Sequence, residues 1–403
     1  MKERELISKY KTPFYLYDEA VLLERTECMR QALPGIGLCF ALKAAPVLAG
    51  LMADKADRLE VCSPGEYEIC IRNGVPADKL LVSGVNKTYE SIKRILELGQ
   101  GLGWYTIESP EHFEILDSCA AEKGLTLNCY IRLSSGNQFG VDKETLEELA
   151  EKVIQSNNLN LEGIHFFSGT QKTVKRIESE LSELAEYGEI LRNRLKCEIG
   201  LEFGPGIGVN YFGAGEASGR EAERAEAEKQ LALIAEIVDR TGIKSVYRDV
   251  TFEYGRFIAA ASGRYFTGVA DLKKTYDVNY AILEGGLHQL TYYGSMAGMK
   301  VPYIDVISAE ERAIDAEKKD YVLAGSLCSV NDILVRKASL PELAKGDTLI
   351  FDLAGAYALT EGIGLFLSRD LPAILIQNKE GDISLVRDHM ETNALNDGTG
   401  KIG

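Results

Sequence analysis

Between about residues 37 and 256 the chain alternates short apolar runs with longer amphipathic ones, and this alternation constrains the fold more than any other feature. Eight runs read as strands: GLCFALK, DRLEVCS, KLLVSG, GWYTIES, LNCYIRLS, LEGIHFFSG, EIGLEFGPG and VYRDVTFEYG. Seven helix-like segments separate them, among them PVLAGLMADKA, SPGEYEICIRNG and ESIKRILELG, and several end in glycine as helices often do. A strand, a helix and a further strand in succession build a parallel sheet, because the helix returns the chain to the edge from which it left. Eight such units in about 220 residues favour a closed (β/α)8 barrel of the TIM type over an open sheet.

After residue 260 the texture changes. ASGRYFTGVADL, YVLAGSLC, DTLIFDLAGAYAL and PAILIQN are strand-like with turns between them, and AILIQNKEGDISLVR reads as a hairpin turning at Glu380 and Gly381. The expected division is a barrel over residues 27–260 and a C-terminal β domain over 261–403, joined by a strand from residues 1–26 (TPFYLYD). The tail NDGTGKIG is expected to fray.

The net charge of −16 argues against nucleic acid, since no basic stripe is present to displace counterions. The acidic residues of ESELSELAEYGE and EAERAEAEKQ read as solvated helix faces. No apolar run approaches the roughly 20 residues of a membrane span, and the N-terminus has no apolar signal core, so no membrane association and a cytoplasmic setting are expected. The eight cysteines show no CxxC spacing. Neither a metal site nor a disulfide framework is expected, and seven of them, all but Cys328, read as small buried apolar residues.

In a barrel of this kind chemistry sits at the C-terminal ends of the strands, and phosphate often binds after the last two. That rule gathers scattered residues onto one rim. Lys43 ends the first run, His165 and Ser168 end the sixth, Gly204-Pro205-Gly206 follows the seventh, and Glu253, Gly255 and Arg256 end the eighth. Each has a plainer reading. Lys43 is either a snorkelling strand-end lysine or a partly desolvated amine suited to Schiff-base chemistry. GPGIGV is either an ordinary turn or a phosphate cradle, although Pro205 lacks an N–H. His165 is a core histidine or a stacking platform. Glu253 pairs with Arg256 at the surface, or is buried where it keeps a pyridine nitrogen protonated. Cys328 has a plain core reading and Tyr357 that of a packing tyrosine with a hydrogen-bonded hydroxyl, and neither residue stands out on its own. Together the rim residues supply an amine, an aromatic platform, an anion-binding turn and a carboxylate, the parts that hold pyridoxal 5'-phosphate (PLP).

In this order the motifs resemble those of the fold-type III PLP-dependent decarboxylases, the diaminopimelate and ornithine decarboxylase group, from TPFYLYD to RDHMETNALND. FALKAAP is similar to A-x-K-A-N, which implies that Lys43 binds the cofactor aldehyde; Ala45 replaces the usual Asn. LEVCSPGE resembles D-x-x-S-x-G-E with Glu60 for Asp, and NQFGVD resembles the K-F-G stretch at Phe139 and Gly140. HFFSGTQ resembles H-x-G-S-Q, which implies that His165 stacks on the ring and Ser168 reaches the phosphate. GPG stands where the family has GGG, which brings Gly204 and above all Gly206 to the phosphate. FEYGR resembles E-P-G-R, giving Glu253 the pyridine nitrogen and Gly255 and Arg256 the phosphate. GSLCSVND and AGAYAL resemble the segments that supply a proton-donating cysteine from the partner subunit and a tyrosine near the phosphate, here Cys328 and Tyr357.

The resemblance implies a homodimer with shared active sites and an amino-acid decarboxylase releasing CO2 from Cα. Two departures bear on the substrate. Ser329 occupies the place of an acidic residue that faces a distal amine, and GGLHQLTYYGSMAGMK lacks the arginine expected near it. Both losses weaken an electrostatic grip on a distal ammonium or second carboxylate. They favour a modified or carrier-protein-bound amino acid over strict diaminopimelate decarboxylation. A PLP-dependent racemase and a non-catalytic PLP-binding barrel are the further alternatives.

Overall fold

The computed structural model describes residues 3–213, 219–309 and 317–398. They fall into two compact units: Arg25–Gly208 with Ala227–Ile258, and Met1–Glu24 with Val209–Glu226 and Ala259–Gly403. The first strand, β1 (Phe14–Asp18), belongs to the second unit. The next eight are β2 (Gly37–Ala41), β3 (Arg58–Val61), β4 (Leu80–Val82), β5 (Trp104–Ile107), β6 (Leu127–Leu133), β7 (Leu159–Phe167), β8 (Gly200–Gly204) and β9 (Val250–Tyr254). They are parallel neighbours and close into a barrel. Closure is visible in the register, where Cys39 of β2 faces Arg58 of β3 on one side and Glu253 of β9 on the other. Each strand coincides with one of the eight apolar runs.

Local chemistry explains the tight strand-to-helix turns. Ser63 and Ser109 each precede a proline at the helix start, and their hydroxyls accept from the backbone N–H of Glu66 and His112 at 3.1 and 3.2 Å. Thr88 forms a capping box with Ser91, and Thr173 caps the long helix Val174–Leu195. Each cap satisfies an otherwise orphaned donor and is worth about 1 kcal/mol. The first connection is the exception. PVLAGLMADKA forms only a short 3-10 turn, Pro46–Leu48, and one helical turn, Ala49–Met52.

The barrel interior is not wholly apolar. Arg58 at the start of β3 donates to Glu202 of β8 at 2.7 Å and to the Tyr130 hydroxyl at 2.9 Å. Its guanidinium lies 3.9 Å from the Trp104 ring centroid. Burial pushes the Glu202 carboxyl up to about 7, with Arg58 holding it down in part. Arg58→Met leaves this fully buried carboxylate without its cation, so it is expected to lower unfolding stability by about 3–5 kcal/mol, read from a urea midpoint. Adding Glu202→Gln should recover much of the loss; no recovery would show that Arg58 acts through packing alone.

In the second unit follow β10 (Gly263–Thr275), β11 (Val278–Leu283), β12 (Ile304–Ile307), β13 (Lys318–Ala324), β14 (Ile333–Pro341), β15 (Thr348–Phe351), β16 (Ala373–Gln377) and β17 (Ile383–Arg387). The sheet order is β14-β13-β11-β10-β1-β16-β17, and β15 pairs with β10 and β12. β1 runs antiparallel to β10 and parallel to β16. Its inward Phe14 stacks on Phe266 at 4.6 Å, over a core that includes Leu6, Leu16, Ile350 and Leu375. The hairpin of β16 and β17 is present, its turn held by the Asn378 side chain accepting from Asp382 N at 2.7 Å. Of the tail, Asn396 is tethered to the Leu365 carbonyl at 2.7 Å, and residues 399–403 lie outside the described residues.

Two readings of composition need correction. The acidic helices are not solvated throughout: Glu180 and Glu223 are both 3 % exposed. Of the cysteines taken as buried, Cys28, Cys62 and Cys197 are half-buried, although every one of the eight is a free thiol. Among the described residues no His/Cys/Asp/Glu cluster suits a metal ion, and no helix is long and apolar enough to cross a membrane.

Candidate active site

β2 ends at Ala41 and the chain enters a 3-10 turn, Leu42–Ala44, which sets Lys43 just beyond the strand's C-terminal end. Its ammonium donates to Glu60 Oε2 at 2.8 Å and lies 3.6 Å from Glu253 Oε1. Those carboxylates come from β3 and β9, the two strands that flank β2. One third of the Lys43 side chain remains exposed, so the amine is held from behind yet open to an incoming carbonyl.

Glu253 Oε2 accepts from His165 Nε2 of β7 at 3.2 Å. Burial pushes the Glu253 carboxyl up, but the Lys43 ammonium and then the His165 hydrogen bond overcome this and hold it at about 2. The group is therefore a fixed anion at neutral pH. His165 is 1 % exposed, and its Nδ1 has no hydrogen-bond partner among the described residues.

A second cluster forms after β7 and β8. Lys172 N donates to Gly206 O at 2.8 Å, joining the loop after β7 to the turn after β8. Gly206 sits at φ +57°, and a Cβ there would fall 2.2 Å from the Gly169 carbonyl oxygen, so the cup between loop and turn admits no side chain at this position. Ser168 and Gly204 line the same cup through contacts with Lys172. After β9, the Gly255 carbonyl accepts from Ile258 N, and buried Arg256 opens the turn Arg256–Ala259 with its Nε 3.4 Å from Thr170 Oγ1. Lys43, His165, Ser168, Gly204, Gly206, Glu253, Gly255 and Arg256 thus all lie at or just past the C-terminal ends of β2, β7, β8 and β9.

Cys328 and Tyr357 belong to the sheet unit. Cys328 is exposed on a turn organised by buried Asp332, whose carboxylate accepts from Leu327 N at 2.7 Å and Leu287 N at 2.8 Å. Tyr357 is half-buried at φ +63°.

Motif reading left out Cys62 and Ser83, and it gave Glu60 no role. Cys62 Sγ lies 3.6 Å from Lys43 Nζ and 2.9 Å from Glu60 Oε1, and the Ser83 hydroxyl donates to the same Glu60 oxygen. The period of two along DRLEVCS carried the signal, since Arg58, Glu60 and Cys62 alternate with apolar residues.

The family model described as "Pyridoxal-dependent decarboxylase, pyridoxal binding domain" matches residues 19–260. The chain belongs to the pyridoxal-dependent decarboxylases. Its relatives include a diaminopimelate decarboxylase of Aquifex aeolicus, 24 % identical over 95 % of this chain and 90 % of the relative. They also include an L-glutamyl-[BtrI acyl-carrier protein] decarboxylase of Niallia circulans, 27 % identical over 95 % and 92 %. The crystal structure of diaminopimelate decarboxylase from Helicobacter pylori complexed with L-lysine shares the fold, with a TM-score of 0.82, 23 % identity and 98 % of each chain covered. The chain is accordingly a PLP-dependent carboxy-lyase acting on an amino acid.

The residues present fit the cofactor. A partly exposed amine lies beside a carboxylate, an imidazole with an orphaned buried nitrogen borders them, and a turn that admits no side chain at Gly206 follows β8. An aldehyde, a pyridine nitrogen, a ring face and a phosphate are the complements of those four.

Proposed function

We propose that this decarboxylase binds its cofactor through Lys43 and acts on a modified or carrier-protein-bound amino acid, without gripping a distal ammonium or second carboxylate by charge. The observation that carries the cofactor assignment is the Lys43 ammonium held between Glu60 and Glu253 at the barrel rim. When bound, PLP supplies the electron-accepting ring that allows the Cα–carboxylate bond to break. Lys43 would present the amine that holds the cofactor's aldehyde carbon. Glu253 would keep a proton on the pyridine nitrogen. His165 supports the ring face and steadies Glu253 through Nε2. Ser168, Gly204, Gly206, Gly255 and Arg256 would hold the phosphate.

The proton returning to Cα comes from the Cys328 thiol of the partner subunit, in a cytoplasmic homodimer whose sites are shared. The barrel of residues 27–260 carries the cofactor, and the β domain of residues 261–403 carries Cys328 and Tyr357. Support for the substrate reading comes from Ser329 in place of an acidic residue and from the missing arginine in GGLHQLTYYGSMAGMK. The carrier-bound substrate named for the Niallia circulans relative points the same way. Diaminopimelate is the second reading, favoured by the name of the Aquifex aeolicus relative.

A CO2-release screen over lysine, ornithine, arginine, meso-diaminopimelate, glutamate and carrier-bound acyl amino acids separates these. The highest kcat/KM is expected for a substrate without a free distal charge. A clear preference for meso-diaminopimelate would sink the substrate reading. Cys328→Ser is expected to slow product formation by about 10- to 100-fold, with cofactor binding intact. An unchanged rate and product would remove the proton-donor role.

A further inference from the structure

The cup formed by Ser168, Gly204 and Gly206 contains a cation that no motif accounts for. Lys172, four residues past Ser168, turns its head inward. Its Nζ donates to Glu180 Oε2 at 2.6 Å, to the Gly204 carbonyl at 2.8 Å and to Ser168 Oγ at 3.2 Å. The side chain is only 6 % exposed. A strand-end or loop lysine ordinarily buries its stem and keeps its ammonium in water. Here the ammonium itself is inside, against the turn, and a Cβ at Gly206 would meet Lys172 Cε at 2.8 Å. Burial lowers the pKa of Lys172, and Glu180 partly offsets this.

Glu180 does not need Lys172 merely to be neutralised. Its other oxygen accepts from Arg176 Nε at 2.7 Å and from the Ser168 hydroxyl at 2.5 Å. Lys172, Arg176 and Glu180 together therefore leave one positive charge in excess beside the cup. The turn itself is short of donors, because Pro205 has no N–H to offer an anion. A dianionic group bound there lacks one amide contact and finds an ammonium in its place. Ser168 makes the longest of the three Lys172 contacts, the easiest for a phosphate oxygen to replace.

We propose that Lys172 is a phosphate ligand of the cofactor site, standing in for the amide that Pro205 lacks, with Glu180 aiming its ammonium into the cup. This rests on the reading of the Lys43–Glu253 rim as the PLP site. The test compares the binding of PLP with that of pyridoxal, which lacks the phosphate, by spectroscopic titration of the full-length apoprotein. The wild type is expected to prefer PLP strongly. Lys172→Met should weaken PLP by about 10- to 100-fold, the range of a lost charged hydrogen bond, and leave pyridoxal unchanged. Lys172→Arg should keep most of the preference. Lys172→Gln, which retains a donor and most of the volume, should lose it as Met does, and serves if the Met variant does not fold. An undiminished PLP preference in the Met or Gln variant overturns the proposal, as does an equal loss of affinity for both compounds. A wild type that binds neither compound removes the rim reading and the proposal with it. A wild type that prefers PLP beside a Lys172→Met variant that does too removes the lysine alone.

Discussion

Lys43→Ala is expected to abolish turnover, with kcat reduced by more than about 10⁴-fold, and to remove the visible absorption band that lysine-bound PLP gives. The substitution removes a nucleophile for which no neighbour substitutes. Glu60, Glu253 and Cys62 lie against the amine, and none of them forms a stable carbon–nitrogen bond to an aldehyde. The fold should survive. Lys43 is one third exposed, and Glu60 keeps the Cys62 and Ser83 contacts when it is gone. The rest of the site should respond in a definite direction. The Lys43 ammonium is the strongest influence lowering the Glu253 carboxyl, so in the variant that carboxyl should titrate higher. Decarboxylation persisting in Lys43→Ala would contradict the account.

Glu253→Gln is the second large effect. The Lys43 ammonium and the His165 hydrogen bond hold the Glu253 carboxyl low enough to be ionised at neutral pH, and glutamine in its place has neither the charge nor the basicity to keep a pyridine nitrogen protonated. Removal of a preorganised electrostatic group of this kind costs about 10²- to 10³-fold in kcat, while cofactor binding through Lys43 persists. The variant should therefore stay coloured and turn over slowly, the reverse of a binding defect. A stability signature accompanies it. The folded-state pKa of Glu253 is depressed from 4.5 to about 2, so its contribution to folding is fully present above pH 4.5 and is lost as pH falls toward 2. Acid unfolding of Glu253→Gln should lack that component. A Gln variant with wild-type kcat would show that Glu253 is structural.

The barrel was legible because its signal is a repeated local one. Each strand is a short apolar run and several crossovers carry their own cap, as at Ser63, Ser109 and Thr173, so independent local decisions agree. The rim was legible because Lys43, His165 and Glu253 each end such a run, and strand ends share a face in a parallel barrel. Buried charges were not legible. Glu180 lies in an acidic helix whose other carboxylates are mostly solvated, and only the folded loop at Ser168 and Lys172 shows that this one turns inward. Arg58 and Glu202 pair across 144 positions, beyond the reach of any spacing rule. Lys172 escaped for the same reason: the position of its head depends on how the turn after β8 meets the loop after β7.

The most direct test is chemical trapping. Borohydride reduction of the PLP-loaded protein, followed by proteolysis and mass spectrometry, should place one reduced pyridoxal phosphate on the peptide bearing Lys43 and on no other lysine. Label on Lys172 or a surface lysine, with the Lys43 peptide unmodified, would contradict the account at its centre.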